Sequence, residues 1–394
     1  MSKVEQAVQI VLDELIESGY EVGLQAAAYI DGELAVDCTA GVIAQDSDVP
    51  VKSDTLFTIY SCSKGVSLTC AHILAERGLI DYQRPLAAYW PDFAVHGKER
   101  ITVAEALNHL AGIPQTPVVE GLPIHELLCR IDTCIAETAR LEPMFEPGTT
   151  ACYHGFTIGW ILEALVRSVS GKSVASLIRE EVTQPLGLEN ELMLGTPAAF
   201  HGRMATPLEP AVDLEKLPPM DPIFFKIIPL EEESLGTLRN RKEVREAEAA
   251  GVNISATARA LAKHYAALVS SVDGCRLLSN NQIDSIRSFE ANLPDEMFNR
   301  AFPVPQNTPR ILGYQRNTGD RTQEFYYGPN LKAFGHGGYG GSCGFADPDT
   351  KIGFAFTKTQ LGGFVESEGP TPLRGRNFDE MSRVRVMEAL YQAL

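Results

Sequence analysis

The chain has 394 residues, of which 44% are hydrophobic, and it contains 33 glycines, 24 prolines and 8 cysteines. This composition excludes collagen-like, low-complexity and disordered chains as well as small disulfide-stapled scaffolds. Its 51 Asp and Glu residues outnumber its 34 Lys and Arg residues, which gives a formal charge of −17. Because so acidic a surface repels phosphate backbones and anionic lipids, we expect no nucleic-acid partner and no membrane-surface role.

The N-terminal segment predicts an amphipathic helix, because Val4, Val8, Val11 and Leu15 recur at helical spacing among acidic residues. It lacks the basic start and apolar run of a secretory signal. No stretch approaches the roughly 18 uninterrupted apolar residues of a membrane span. The cysteines form no Cys-x-x-Cys pair, so we expect reduced thiols, no metal site and a cytoplasmic protein.

Strand-like runs lie at both ends of the chain, and helical patterns lie between them. Residues 23–42 are interrupted by Asp31-Gly32, which predicts a hairpin. Further strands are predicted at 310–316, 323–328, 342–347 and 352–357, and helices at about 61–77, 102–110, 155–169, 173–181, 255–270 and 378–393.

This arrangement predicts one sheet built from both ends of the chain and a helical insertion, with an active site between the two parts. We place the sheet domain at residues 1–80 together with about 300–394, and the helical domain at about 81–299. Segment 207–247 is rich in Pro, Glu and Arg. It is either a flap over the cleft or a solvated loop and helix, and we favour the solvated interpretation.

Two motifs that resemble cofactor or metal sites fail on their context. Residues 335–340 (GHGGYG) match G-x-G-x-x-G, but a strand and a turn follow them, whereas a dinucleotide site requires a helix there. His125-Glu126 lacks the second histidine of a zinc helix. Neither pattern therefore predicts a bound group.

Ser61 and Lys64 form the pattern S-x-x-K, which predicts a nucleophile and its activator on one helix face. A serine hydroxyl is a weak nucleophile until a neighbouring base accepts its proton. Lysine serves as that base only when burial or nearby positive charge lowers its pKa. Taken alone, the pattern also fits a helix-capping serine beside a solvated lysine.

Four further segments follow the S-x-x-K pattern in a fixed order: 101–114 (ITVAEALNHLAGIP), 146–159 (EPGTTACYHGFTIG), 184–188 (QPLGL) and 335–348 (GHGGYGGSCGFADP). Together the five matches resemble the class C β-lactamase and family VIII carboxylesterase superfamily of penicillin-binding-protein-like serine hydrolases. The resemblance implies an α+β fold of β-lactamase/transpeptidase type, with an antiparallel sheet flanked by helices and an all-helical lobe. It implies no metal or organic cofactor.

The resemblance also implies roles for individual residues. Ser61 is the expected nucleophile, Lys64 the proton acceptor or its electrostatic partner, and Tyr153 the phenol that passes the proton to the leaving group. We expect the pKa of Tyr153 to fall beside the Lys64 ammonium. Whether Lys64 or Tyr153 is the general base stays open. The backbone N–H groups of Ser61 and Tyr339 are the expected oxyanion hole.

Two departures from the family pattern bear on the substrate. The family's third sequence motif, the third box, reads His336-Gly337-Gly338 here, whereas penicillin-recognising members have Lys-Thr-Gly. A mostly neutral imidazole binds an anion more weakly than an ammonium does. We expect Gly337 and Gly338 to contact substrate. His336 either contacts substrate as well or has a structural role, in which it forms a hydrogen bond across the cleft. Gly155 stands where penicillin-recognising members carry an amide-binding asparagine.

These departures favour a serine esterase or acyl-transferring transesterase that acts on small carboxylic esters through an acyl-enzyme. A β-lactamase or a D-amino-acid peptidase or amidase is the first alternative. A catalytically inactive ligand-binding homologue is the second. The sequence leaves the oligomeric state and the two parts of the ester open.

Overall fold

A large antiparallel sheet is the centre of the fold. The structure is a computed structural model that describes residues 1–209, 221–229, 233–301, 306–362 and 381–394. Eight strands form the large sheet in the order β2-β1-β11-β10-β9-β8-β7-β6, and three form a small sheet in the order β3-β5-β4. The strands are β1 (Gly23–Ile30), β2 (Glu33–Gly41), β3 (Phe57–Thr58), β4 (Leu192–Leu194), β5 (Ile254–Ala256), β6 (Glu290–Ala291), β7 (Arg310–Ile311), β8 (Tyr314–Arg316), β9 (Phe334–Gly337), β10 (Cys343–Asp347) and β11 (Ile352–Lys358).

Helices flank the large sheet. Most of them lie, in the sequence, between its two N-terminal strands and its C-terminal strands. They are α1 (Lys3–Glu17), α2 (Cys62–Glu76), α3 (Val103–Leu107), α4 (Ile124–Leu127), α5 (Ile131–Arg140), α6 (Thr157–Ser170), α7 (Val174–Leu177), α8 (Gln184–Leu186), α9 (Pro222–Ile227), α10 (Leu235–Asn240), α11 (Lys242–Glu246), α12 (Ala258–Val269), α13 (Asn280–Ser288), α14 (Glu296–Ala301) and α15 (Ser382–Ala393). A π-helical turn, Ile178–Thr183, follows α7. The predicted fold class is confirmed.

The first strand joins the two ends of the chain. β1 pairs with β2 through the predicted turn, where Asp31 and Gly32 have φ of +49° and +88°, and it pairs with β11 on its other side. Its side chains alternate between two cores, as the period of a strand requires. Ala26 and Ala28 pack in the core with α1 and α15, whereas Ala27 packs in the core with α12.

Helix α12 packs against β1, β10 and β11 of the large sheet. The sequence-based boundary near residue 299 assigned this helix to the helical domain. The division of the chain into two domains remains a proposal, and the packing of α12 favours placing this helix with the sheet. The close contact requires Gly353, because a Cβ there would overlap the backbone of Ala262 and Ala266.

Three predicted elements differ from the observed ones. Residues 310–316 form two short strands, since Leu312 and Gly313 turn the chain with φ of +46° and +91°. Residues 323–328 form no strand. There the N–H of Tyr327 donates to the Asn317 side chain instead of to a strand partner. The predicted helix 173–181 changes to the π-helical turn after Leu177.

The described parts of segment 207–247 are packed rather than solvated. Helices α9, α10 and α11 bury apolar side chains in the core that also contains α1 and α15. Phe224, Ile227, Leu238 and Val244 are among them. The solvated interpretation of this segment is therefore wrong for these helices. Residues 210–220 and 230–232 lie outside the described residues, as does the predicted start of the final helix at 378–380.

Two further properties concern the whole described chain. Within the described ranges, no helix combines the length and the apolar character that crossing a bilayer demands. All eight cysteines are free, and most are buried, with Cys129 exposed.

Substituting Gly353 with alanine is expected to lower the free energy of unfolding by about 3 kcal/mol, because the added methyl group must displace helix backbone. Chemical denaturation measures this change. Gly202→Ala is the matched control, since nothing lies within 4 Å of a Cβ there, and it should change stability by less than about 0.5 kcal/mol. Equal stability of the two variants would contradict the close packing of α12 on the sheet.

Candidate active site

Ser61 lies at the start of α2, where the small sheet passes into the helix. Strand β3 ends at Thr58, and Tyr60 then adopts a left-handed backbone with φ of +46°. Ser61 is the N-cap residue of α2, yet its side chain makes no capping hydrogen bond. Its hydroxyl is therefore available to other partners. A left-handed non-glycine residue next to a reactive group is typical of functional sites.

Lys64 is completely buried one helical turn further on. Its Nζ lies 3.1 Å from the Ser61 hydroxyl and donates to the backbone oxygen of Gly251 at 2.8 Å. Burial lowers the pKa of Lys64 to about 7, because the charged amine loses its hydration. The solvated-lysine interpretation of the S-x-x-K pattern is thus excluded, and a large share of the amine is neutral at neutral pH.

Tyr153 completes the group from the loop before α6. The Lys64 Nζ lies 4.9 Å from the centroid of its ring. Burial raises the pKa of the Tyr153 phenol, although the hydrogen bond with Ser61 and the charge of Arg310 act in the opposite direction. The expectation that the pKa of Tyr153 falls beside Lys64 is therefore wrong. Desolvation outweighs the nearby charges, and it lowers the pKa of the lysine instead.

A shell of rings and one buried ion pair holds Tyr153 in place. The centroids of the His109 and Phe298 rings lie 5.0 and 5.5 Å from the centroid of its ring. The Arg310 guanidinium lies 5.9 Å from that centroid. Arg310 is itself paired with Asp295 at 2.8 Å, and both side chains are buried. The ring is thereby fixed on several sides.

His336 faces this cluster from β9 and is buried. Its Nδ1–H donates to the Gly337 oxygen at 2.7 Å, and its Nε2 has no hydrogen-bond partner. Burial and the charge of Lys64 hold the pKa of His336 well below its usual range, so the ring is neutral. His336 is not among the described residues that line the two cavities beside Ser61. The geometry therefore favours its structural role over substrate contact.

Two cavities meet at Ser61, and both are also lined by Tyr153, Ile228 and Tyr339. The Arg239 cavity, of about 460 Å³ including space open to solvent, has mostly apolar walls. It is lined among others by Leu128, by Ile228 directly after α9, and by Leu235, Leu238 and Arg239 of α10. The Glu324 cavity, of about 620 Å³ including such space, is lined among others by Gln315, Glu324, Gly337, Gly338 and Met381. Segment 207–247 thus contributes to the cleft wall, as the flap interpretation predicted.

Gly338 explains how the third-box strand comes close to the nucleophile. A Cβ on Gly338 would lie 2.5 Å from the backbone oxygen of Ile59, so a larger residue does not fit there. The chain then enters a short 3₁₀ turn that begins at Tyr339. This close approach places Tyr339 beside Ser61 in the wall of both cavities.

Gly155 lines the Arg239 cavity where the family pattern has an asparagine. Side-chain carbons of Ile227 and Ile228 lie 3.2 and 3.4 Å from the position that a Cβ would take there. Apolar groups thus occupy the space next to this position. This part of the site therefore offers no side-chain amide to a substrate.

Sequence reasoning missed three participants in the site. The Gly251 oxygen that binds Lys64, the ion-paired Arg310 and the buried Arg239 all come from residues 195–330, where no motif was recognisable. His109 lies inside a matched segment, but nothing in the sequence indicated that its ring packs against Tyr153. Among the described residues, no cluster of three or more His, Cys, Asp or Glu side chains could hold a metal ion.

Known proteins share this fold. The sequence profile of the family described as Beta-lactamase matches residues 11–374. The protein Esterase/beta-lactamase LipL of Mycobacterium tuberculosis is 32% identical in an alignment over 349 residues that covers 85% of this chain and 76% of LipL. The crystal structure of a family VIII carboxylesterase gives a TM-score of 0.85 at 31% identity, over 100% of this chain and 98% of that chain. A penicillin-binding protein homologue from Caulobacter crescentus gives 0.83 at 29% identity, over 99% and 98%.

The chain therefore belongs to the beta-lactamase family, and the resemblance found in the sequence is confirmed.

Replacing Lys64 with methionine is expected to raise the free energy of unfolding at pH 7 by about 1–3 kcal/mol, because the folded state no longer buries a group that prefers to be charged. The pKa of Lys64 is lowered on folding, so the penalty is largest at and below pH 7. It disappears as the pH rises toward the unfolded-state value of about 10.4.

Denaturation curves of the Lys64→Met variant and the native chain at several pH values measure the gain and its decline. Lys172→Met is the control, since Lys172 is about half exposed, and it should change stability by less than about 0.5 kcal/mol. A Lys64→Met variant that is less stable than the native chain at pH 7 would contradict the burial penalty.

Proposed function

We propose that the protein is a serine hydrolase that cleaves small carboxylic esters through an acyl-enzyme, with Ser61, Lys64 and Tyr153 as its catalytic residues. The observation that carries the proposal is the contact of the Ser61 hydroxyl with an amine whose pKa burial lowers to about 7. An amine of this kind accepts a proton at neutral pH, which an ordinary surface lysine does not.

In the proposed reaction, neutral Lys64 takes the proton of Ser61 as the hydroxyl oxygen attacks the ester carbonyl. The tetrahedral intermediate collapses when the leaving alcohol receives a proton. Tyr153, whose raised pKa keeps it protonated, relays that proton from Lys64. Water then repeats the sequence on the acyl-enzyme, or an alcohol or amine takes the acyl group in its place.

The oxyanion hole is proposed to consist of the backbone N–H groups of Ser61 and Tyr339. Its support is that both residues line both cavities, with Gly338 permitting the close approach. Charge develops on the carbonyl oxygen in the transition state, and the loss of one such donor typically costs about 3 kcal/mol. Substrate contact by Gly337 and Gly338, in the wall of the Glu324 cavity, is part of the same proposal.

Ester chemistry is favoured by relatives as well as by the site. Two of them are described as a family VIII carboxylesterase and an esterase/beta-lactamase. The apolar surroundings of Gly155 suit an ester better than a peptide amide, since position 155 offers no side-chain amide to bind one. A cytosolic location is also proposed, on the support of the eight free thiols.

The β-lactamase alternative is favoured by the description of LipL as both esterase and beta-lactamase and by the description of the matching family as Beta-lactamase. The amidase alternative shares the same catalytic group. Against both, the neutral and buried His336 stands in place of the third-box lysine and does not provide a cation for a β-lactam carboxylate.

The Ser61→Ala variant is expected to lose ester hydrolysis and acyl-enzyme formation, because the attacking oxygen is removed. Intact-mass spectrometry after incubation with a panel of activated esters should show one added acyl group on the native chain and none on the variant. The adduct should map to the peptide that contains Ser61. Circular dichroism of the variant controls for folding.

Three outcomes would contradict this assignment in different ways. Native-like turnover by Ser61→Ala would remove Ser61 as the nucleophile. No labelling of the native chain by a fluorophosphonate would favour the inactive ligand-binding homologue. Turnover of nitrocefin as efficient as that of p-nitrophenyl acetate would favour the β-lactamase alternative.

The pH dependence of kcat/KM for an uncharged ester tests Lys64 as the general base. The rate is expected to rise about tenfold per pH unit below pH 7 and to level off above it, since only the neutral amine accepts the proton. Tyr153→Phe should keep this rise but lower the plateau by at least about 100-fold. A tenfold rise per pH unit that continues past pH 7 and levels off only at about pH 10 or above would assign the base to Tyr153 instead.

A further inference from the structure

Arg239 is a buried cation in the wall of the cavity that contains the nucleophile. It lies on α10, its side chain is 2% exposed, and it lines the Arg239 cavity together with Ser61. Its guanidinium donates to the Val244 oxygen at 3.1 Å, to the Asn253 side chain and, at 3.5 Å, to the Thr58 hydroxyl. Its Nε is buried without a hydrogen-bond partner.

No carboxylate balances this charge in the described part of the chain, where every ion pair involves another base. Burial lowers the pKa of Arg239 to about 10, and the charge of the nearby Arg245 acts in the same direction. This pKa is still well above 7, and Arg239 therefore remains charged at neutral pH. Glu209 lies close to the same wall, but it accepts hydrogen bonds from the Gly236 N–H at 2.7 Å and from the Tyr339 hydroxyl at 3.3 Å.

Tyr60 provides a second, independent observation. Its side chain is 2% exposed and lines the same cavity, and its hydroxyl is also buried without a hydrogen-bond partner. Burial raises its pKa, so the hydroxyl keeps its proton and can donate it in a hydrogen bond. Two orphaned donors, one of them charged, therefore belong to one cavity wall. A buried polar group without a partner requires an explanation, and a bound ligand or an ordered water is one of them.

We propose that the Arg239 cavity binds a carboxylate carried by the ester substrate, held by Arg239 and Tyr60. The planar guanidinium matches a carboxylate in geometry and charge. The apolar residues that line the same cavity, among them Ile228, Leu235 and Leu238, suit a short hydrocarbon chain. The substrate class is thus an ester with a free carboxylate a few carbons away, such as a half-ester of a dicarboxylic acid. This inference rests on the proposed esterase function.

The test compares esters that differ only in that carboxylate. In the first pair, p-nitrophenyl hydrogen glutarate and p-nitrophenyl pentanoate differ in the acyl chain. In the second, p-acetoxybenzoate and p-acetoxybenzamide differ in the leaving alcohol. The native enzyme should prefer the carboxylated member of at least one pair by about 10- to 100-fold in kcat/KM, as a charge-assisted hydrogen bond predicts. The pair that shows the preference identifies which part of the ester occupies the cavity.

The variants separate recognition from folding. Arg239→Gln should abolish the preference by lowering kcat/KM for the carboxylated ester alone. Tyr60→Phe removes only a hydroxyl, keeps the ring in place and should reduce the preference by about 3- to 10-fold. It therefore carries the test if Arg239→Gln fails to fold. Arg241→Gln is the matched control, since Arg241 is 40% exposed, pairs with Glu233 and does not line the cavity.

Each remaining result overturns the inference. Equal losses for both members of a pair would assign Arg239 and Tyr60 a structural role. A native preference for the uncharged esters would exclude the carboxylate, while Ser61-dependent turnover of those esters would leave the proposed esterase function intact. If no ester of either kind acylates Ser61, the proposed function fails, and the inference fails with it.

Discussion

The amine of Lys64 is buried beside the nucleophile without a carboxylate to balance it among the described residues. The chain holds it by two contacts, one to the Ser61 hydroxyl and one to the Gly251 oxygen, and by the face of the Tyr153 ring. Burial of this kind destabilises the folded state, because the charged form loses its hydration. The same loss lowers the pKa of the amine to about 7, so a large share of it is neutral at neutral pH. The chain thus loses stability at this position and gains an unprotonated amine beside Ser61, on which the other parts of the site depend.

The packing of the whole molecule maintains that environment. Ser61 and Lys64 come from α2, whose residues 62–74 are buried, whereas Tyr153 comes from the loop before α6 and Tyr339 from the end of β9. These segments are far apart in sequence, so no local structure can form the site before the sheet and the helices have packed. Loss of packing at a distance therefore also admits water to Lys64 and returns its pKa toward the solvent value.

Much of this could be predicted from sequence where the signal is local. The hairpin at Asp31-Gly32 follows from the turn preference of two residues, and the positions of Ser61, Lys64 and Tyr153 follow from spacing and motif order. The direction of the Tyr153 pKa shift could not be predicted, because it depends on how desolvation and nearby charge compare in three dimensions. The same limit applies to His336, whose sequence neighbours do not reveal which way its ring faces.

Sequence patterns gave wrong predictions of local structure where long-range contacts decide the conformation. The aromatic run at 323–328 has the composition of a strand, yet the Asn317 side chain binds the N–H of Tyr327 and the segment forms a loop. Segment 207–247 is rich in Pro, Glu and Arg, but the apolar residues of α9 and α10 pack these two helices into the core that also contains α1 and α15. Arg239 could not be recognised there, because no motif extends into that region.

The two cavities at Ser61 differ in chemistry, and this difference has a stereochemical consequence. Both are mostly apolar, but one has a cation in its wall, whereas the other carries the polar side chains of Gln315 and Glu324. A substrate whose two ends differ in polarity can then occupy them in only one direction. The attack of Ser61 is thereby confined to one face of the carbonyl, so mirror-image esters present different groups to the same walls. The enzyme should consequently distinguish enantiomers and act as a kinetic-resolution catalyst for racemic esters.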